Sequence, residues 1–307
     1  MIPAITNRVN YIHILEDLLT LSSPPLSSSG RDTPPPPPLT ADGLDIGTGA
    51  NLIYPLLGAA IVGWTFVGVD ITDTAIAWAT RNRDNNPHLG DKIVLRQVTP
   101  GPFVSHASWR TDWPKDKNHH HHHHHHHHHR EKVVGISTDN HTEKGGILTT
   151  GAVRAGERYA FCMCNPPFFE TEDQCCANPR TNFQGTPAEM VCPGGEGSFV
   201  RRLVYDSLHL QHQIHWFSTL VGKKATLRSI RTELHRQGVP VVRTAELAQG
   251  KTSRWVLAWS FTAPKEVQYL PLRKTEHHPR HTCDDDPVRN HRNPVLTKTN
   301  SLVNDSR

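Results

Sequence analysis

Cys162-Met163-Cys164-Asn165-Pro166-Pro167-Phe168-Phe169 is an apolar run that ends in an amide, two prolines and two aromatic rings. That order suits chemistry on the exocyclic amine of a nucleobase. Asn165 offers a side-chain carbonyl and Pro166 a main-chain one. Two acceptors can hold both hydrogens of an amino group and leave its lone pair pointing at an electrophile. The prolines fix φ and cannot donate, so the turn is stiff and its carbonyls stay free. Phe168 or Phe169 presents a π-face on which a flipped-out base could stack. The same residues would also serve as the end of a proline-terminated buried strand, and the run alone does not separate the two readings.

A second cluster lies upstream. Asp45-Ile46-Gly47-Thr48-Gly49 opens a helix straight after a strand, and Asp70 ends the next strand. Glycines let a ligand approach the backbone, and a carboxylate at the second strand can accept both hydroxyls of a ribose. A dinucleotide fold shares these features, but its third glycine is replaced here by Leu52. Asp45 beside the turn would repel a phosphate and welcome an ammonium or sulfonium cation, which favours S-adenosylmethionine over NAD. Gly250-Lys251-Thr252 resembles the end of a phosphate-binding P-loop, but the required first glycine is Ala245 and a strand follows, so it is rejected. Joined, the two clusters read as a methyl-donor site (Asp45, Gly47, Gly49, Asp70, with Asn165 also against the donor) beside an amine clamp (Asn165, Pro166, Pro167, Phe168). Transfer from a sulfonium to a neutral amine needs in-line alignment and proximity more than a strong base. No histidine or carboxylate has to act as general base, and water can take the departing proton.

The elements that must position these residues alternate. Asn10 to Leu21 reads as an amphipathic helix with Tyr11, Ile14, Leu15, Leu18 and Leu19 on one face and Glu16 and Asp17 on the other. Strands are expected at 43–47, 66–70, 92–98, 159–164, 214–221, 239–247 and 253–261. Helices are expected at 51–60, 74–82, 196–213 and 224–236, with Phe199, Leu203, Tyr205 and Leu208 facing the core from the third of these. The last two strands pair as an antiparallel hairpin. The pattern predicts a doubly wound α/β sheet with mostly parallel strands, whose ligands bind at the strands' carboxyl ends.

Of the 307 residues, 22–40 are Ser/Pro-dominated with five prolines at 34–38, and 112–146 are polar with eleven histidines at 119–129. From 265 the chain is again polar. Removing these leaves about 200 residues, one α/β domain at 1–264 with two disordered inserts and a tail. The histidine run reads as a repeat expansion in a surface loop. A net charge of +4 permits a nucleic-acid partner without demanding one. No stretch approaches the length of a transmembrane helix, so no membrane is expected. Six cysteines without a CxxC pair read as free thiols, and a zinc site from Cys175, Cys176 and Cys192 is disfavoured because its ligands are not in spaced pairs. No metal is expected.

Four blocks carry a resemblance: Arg8-Val-Asn-Tyr-Ile-His13, Asp45-Ile-Gly-Thr-Gly-Ala50 with Ile53-Tyr-Pro-Leu-Leu-Gly58, Phe161-Cys-Met-Cys-Asn-Pro-Pro-Phe-Phe169 and Trp255-Val-Leu-Ala-Trp-Ser-Phe261. They resemble the eukaryotic U6 small nuclear RNA adenine N6-methyltransferases of the methyltransferase-like sixteen type. Bacterial relatives of these methylate an adenine of large-subunit ribosomal RNA. The resemblance implies a class I, Rossmann-like methyltransferase fold, S-adenosylmethionine as cofactor, a structured U6-like hairpin as partner and a nuclear location, with no obligate protein partner. By position it puts a donor-binding arginine on Arg8, the first motif glycine on Gly47, the ribose carboxylate on Asp70 (commonly Glu in the family) and the catalytic tetrapeptide on Asn165 to Phe168. The family carries an RNA-gripping module ahead of the arginine motif, whereas this sequence starts almost at the motif. A truncated gene model and a different mode of RNA binding are the two expectations that follow. Candidate RNA contacts are Arg180, Arg201, Arg202, Lys223, Lys224, Lys251 and Arg254. The rival readings keep the fold and the donor but methylate guanine N2 or a protein glutamine, or keep RNA binding with weak activity.

Overall fold

The computed structural model describes residues 5–23, 38–99, 147–148, 151–171, 173–174, 190–249 and 252–272, all within one compact unit, Met1–Thr275. The elements run α1 (Ile5–Ser22), β1 (Ala41–Ile46), α2 (Ile53–Ile61), β2 (Phe66–Asp70), α3 (Asp73–Asp84), α4 (Pro87–Gly90), β3 (Ile93–Gln97), β4 (Tyr159–Cys164), α5 (Gly195–His209), β5 (Ile214–Val221), α6 (Lys224–Arg236), β6 (Val241–Gln249) and β7 (Thr252–Ser260), with a 3-10 turn at Lys265–Tyr269. Seven strands form one sheet in the order β3-β2-β1-β4-β5-β7-β6. Only β7 runs against its neighbours, so the expected mostly parallel sheet with a closing hairpin is what the chain builds. Chain connections run outward in opposite senses from β1 and β4, which makes the crevice between them the topological switch point.

Period-two alternation feeds both faces of the sheet. Phe161 and Met163 of β4, Trp216 and Leu220 of β5 and Val256 and Ala258 of β7 face α1 and α2. Cys162, Cys164, Phe217, Leu257 and Trp259 face α5 and α6. Tyr11 anchors α1 beneath the switch point. Its hydroxyl lies 2.9 Å from Ser218 Oγ and accepts from the Cys164 amide at 3.5 Å. At the other end of α1, Ser22 accepts from the indole of Trp216 at 3.0 Å. The helix therefore runs its N-terminal turn, with Arg8, toward the carboxyl ends of β4 and β5.

Several expected boundaries shift for identifiable reasons. Helix α1 begins five residues earlier than expected and takes in Ser22, which the sequence places in the first insert. Asp17, placed on the solvent face, is buried. The third predicted helix stops at His209, with Leu210 leaving the helical conformation, and beyond it the Gln213 side-chain amide donates to the carbonyls of Arg154 and Glu157, both at 3.1 Å. The core face of that helix is Val200, Leu203, Val204 and Ser207, with Phe199 half-buried against the same cluster as expected, and Tyr205 and Leu208 only partly covered. Ser207 fits there because it accepts from the Trp259 indole at 2.9 Å. The domain also runs past 264. Val267 is buried, and the Arg243 guanidinium donates to the carbonyls of Val267 and Leu270. The stretches around the proline and histidine runs lie outside the described residues.

Gly43 in β1 shows how tightly the α1–α2 face is packed. A Cβ there would sit 2.5 Å from Phe66 Cε1 and 2.6 Å from Phe161 Cζ, two rings already in edge contact with centroids 5.8 Å apart. Gly43→Ala is therefore expected to destabilise the fold by about 2 kcal/mol through overpacking. Urea unfolding measures this, and an unchanged midpoint would mean that the rings yield freely.

Candidate active site

The sheet register brings the two sequence clusters together. Ile46 is the partner of both Val69 in β2 and Cys164 in β4, so Asp70, Gly47 and Asn165 leave three neighbouring strands at one level. With strands about 4.8 Å apart, the glycine turn and the amide clamp are side by side. Gly47 (φ 69) and Gly49 (φ 64) need the left-handed conformation that glycine alone adopts without strain, and the Gly47 and Thr48 amides both donate to Val69 O at 2.9 Å. Leu52 takes φ 51 with its side chain fully buried among Ala59, Ala79, Leu89 and Ile93. Leu52, where the dinucleotide pattern has its third glycine, thus takes a left-handed backbone, and its apolar burial offsets a strain of about 1 kcal/mol.

Asp70 is more committed than the sequence suggests. One oxygen accepts from the Gly49 amide at 3.0 Å. The other accepts from the amides of Ile71 and Thr72, at 2.8 and 3.1 Å, and from the Thr72 hydroxyl. The carboxylate therefore holds the glycine turn and keeps only spare lone pairs for a ribose. Asp45 differs: it is 1% exposed, its Oδ2 accepts from Thr48 Oγ1 at 2.7 Å, and its Oδ1 is buried with no partner. Burial raises its pKa to about 7, with the Thr48 hydrogen bond opposing and the charge of Asp70 adding to the rise.

At the end of β4, Asn165 Oδ1 is likewise buried without a hydrogen-bond partner. Phe169 is pinned through main-chain bonds to Met190 and Cys192, both 3.0 Å, which fixes the far end of the clamp. Phe168 packs against the Gly222 backbone and under the Arg254 guanidinium, 4.1 Å from the ring centroid. Tyr54 is buried beside this group. Burial raises its pKa, and the charges of Arg8, Asp45 and Arg254 all act on it. Arg8 is thus brought to the site by α1.

These surroundings coincide with a family match. An RNA methyltransferase family (Methyltransf_10) matches residues 1–104 and 133–263. The chain belongs to the Methyltransf_10 family of RNA methyltransferases. Human RNA N(6)-adenosine-methyltransferase METTL16 is 33% identical over 283 residues, 89% of this chain and 41% of the human protein. Ribosomal RNA large subunit methyltransferase F of Flavobacterium johnsoniae is 32% identical over 276 residues, 84% of this chain and 71% of the bacterial one. Among solved structures, the human METTL16 catalytic domain in complex with MAT2A 3'UTR hairpin 1 has a TM-score of 0.57 at 31% identity, covering 86% of this chain and 74% of that one. The N-terminal domain of human METTL16 in complex with SAH has a TM-score of 0.50 at 32% identity, covering 85% of this chain and 72% of that one. The chain spans less than half the length of the vertebrate relatives it matches.

The remaining candidates divide. Lys223 and Lys224 are exposed next to Gly222, at the rim of the clamp. Arg201 is engaged elsewhere, donating to Gly197 O and to Ser229 Oγ at 2.9 Å, which ties α5 to α6. Arg202 is half-buried near Cys192, on which its charge acts. Arg180, Lys251 and the cysteines 175 and 176 lie outside the described residues, among which no cluster of potential metal ligands occurs. No helix of the described residues is long and apolar enough to cross a membrane. Sequence reasoning missed Glu196 and Gly222. Glu196 is 1% exposed, its Oε1 accepts from the Gly222 amide, and its Oε2 is buried without a partner. The available signal was a carboxylate directly after Gly194-Gly195, in the first turn of a helix.

Proposed function

We propose that this Methyltransf_10 protein is an S-adenosylmethionine-dependent RNA adenine N6-methyltransferase. The observation that carries the reading is the pair of buried, partnerless oxygens near the carboxyl ends of two adjacent strands: Asp45 Oδ1, in register with Met163 just below the glycine turn, and Asn165 Oδ1 at the clamp. Such acceptors cost free energy unless something donates to them or a cation sits beside them, so they point to ligands. The donor fits the residues present. Asp45 offers a buried carboxylate to a cation, Gly47 faces open space where a Cβ would meet nothing within 4 Å, and Asp70 lies within reach of a ribose. When bound, the donor supplies an electrophilic methyl group on a sulfonium. Asn165 Oδ1 and the Pro166 carbonyl hold the two amine hydrogens, so the lone pair faces the glycine turn. Phe168 stacks the base, the prolines keep the carbonyls in place, and the proton leaves to water after transfer. Arg8 contributes to the donor side.

For the substrate we infer a structured RNA, a U6-like hairpin in a nuclear setting. The similarity to the bacterial ribosomal RNA enzyme supports a second reading, an adenine of large-subunit ribosomal RNA. Labelled methyl transfer to a U6-like hairpin and to a large-subunit ribosomal RNA fragment, followed by nucleoside analysis, tests both. N6-methyladenosine in one RNA selects the target; transfer to guanine or to protein, or none at all, would overturn the reading.

A pH dependence follows from Asp45. Its carboxyl is half-protonated near pH 7, and a bound cation favours the ionised form. Donor affinity is therefore expected to weaken about tenfold from pH 8 to pH 6, because binding must release a proton at the lower pH. Calorimetry with wild type and Asp45→Asn checks this. The variant binds less tightly and with a flat profile, and an equally steep profile in the variant would assign the proton to another group.

A further inference from the structure

We propose that Arg254 is a placeholder for the acceptor base: its guanidinium occupies the face of Phe168 on which the purine stacks and leaves when the base enters. The inference rests on the adenine-methyltransferase reading and names how its acceptor pocket is kept before RNA arrives.

Phe168 has two close neighbours of different kinds. A Cβ on Gly222 would lie 3.2 Å from Phe168 Cδ1 and 3.3 Å from Cε1, so the end of β5 walls off that side of the ring with backbone. Backbone cannot vacate. Arg254 covers the ring at 4.1 Å from its centroid, on a long side chain with several rotatable bonds, and can. A guanidinium is flat and electron-poor, with its stacking surface at the distance a base would take, so it satisfies the π-face in the same way.

The Glu196 carboxylate is one of the groups that favour a half-buried cation there. Burial lowers the Arg254 pKa, the charges of Tyr54 and Glu196 raise it, and Arg8 opposes. Glu196 is itself immobile. One oxygen is fixed by the Gly222 amide, while the other is buried and unpartnered in the first turn of α5. The same carboxylate thus braces the wall behind Phe168 and supplies the counter-charge for the side chain that caps it. Displacement by a base would return the guanidinium to solvent, where RNA phosphates can meet it.

Adenosine titrated against the SAH-saturated enzyme tests this, since it lacks phosphates for Arg254 to gain and the donor pocket is closed to it. Arg254→Ala is expected to bind adenosine about fivefold more tightly than wild type, the return of a displaced cation–π contact. Phe168→Ala should remove that gain. Glu196→Gln keeps an acceptor for the Gly222 amide, so it should give a smaller gain that disappears in the Arg254→Ala background. A purely structural Glu196 would act equally in both backgrounds. If Arg254→Ala does not fold, Arg254→Gln serves. Unchanged or weaker adenosine binding in the Arg254 variant overturns the placeholder. Methyl transfer to RNA by wild type is measured alongside: tighter adenosine binding without transfer sinks the methyltransferase reading alone, and transfer with unchanged adenosine binding sinks the placeholder alone.

Discussion

Asn165→Ala is expected to lower single-turnover methyl transfer by at least about a thousandfold while leaving donor and RNA affinity within about threefold of wild type. The amide holds one of the two amine hydrogens, and its loss lets the amine rotate so that its lone pair no longer points along the transfer line. RNA affinity comes mainly from the phosphates, which this residue does not touch. The fold should not suffer. Asn165 Oδ1 is buried without a partner, so truncation removes an unsatisfied acceptor and the melting temperature should hold or rise. That combination, dead but no less stable, separates an amine clamp from a strand terminator. A strand terminator would lose stability and keep whatever activity the protein has. Asn165→Asp keeps the acceptor geometry and is expected to retain about a tenth or less of the rate, because its charge must be desolvated beside the amine. A hundredfold loss of RNA binding in Asn165→Ala would move the residue from the clamp to the RNA surface.

Such a site is readable from sequence where it depends on backbone order and unreadable where it depends on long-range approach. The Gly47–Gly49 turn, Asp70 and Asn165 sit at strand ends, and a parallel sheet puts strand ends at one level whatever fills the connections. Asp45 was legible as a carboxylate near a cation. That its Oδ1 would be buried without a partner depends on which neighbours the β1 side chains meet, and spacing does not encode that. Glu196 and Gly222 are 26 residues apart and meet only because α5 and the end of β5 converge behind Phe168. Arg254 looked like a surface cation because its neighbours in sequence are polar on one side. Its cap over Phe168 follows from the reversed direction of β7, which carries the start of that strand to the carboxyl end of β5. The placement of Tyr205 and Leu208 on the core face of α5 has a similar origin. Apolar residues ring that helix, and the small polar Ser207 marks the core line because a tryptophan from β7 reaches it.

Glu157→Gln is expected to destabilise the fold by about 3 kcal/mol at neutral pH. Arg96 near the end of β3 meets Glu157 ahead of β4 through two bonds, 2.6 and 3.0 Å, and also donates to Ala152 O at 2.8 Å. The Arg154 amide and the Tyr159 hydroxyl reach the same carboxylate at 2.9 Å. Burial pushes the Glu157 pKa up, but the hydrogen bonds from Arg96, Arg154 and Tyr159 outweigh it and hold it at about 2. The folded value lies below the ordinary 4.5, so the stabilisation is complete above that pH and is lost as pH falls toward 2. Wild type and Glu157→Gln should therefore converge in acid, which urea unfolding across pH 7 to 2.5 measures. A constant gap would mean that shape and not charge matters here. Arg96 and Glu157 lie on either side of the segment that carries the histidines and tie the end of β3 to the approach to β4. Replacing both partners by methionine would restore most stability for an isolated ion pair. Here it is expected to restore no more than about half, because the Arg154 amide and Tyr159 hydroxyl are left without their acceptor. Full recovery in the double variant would reduce the cluster to a simple pair.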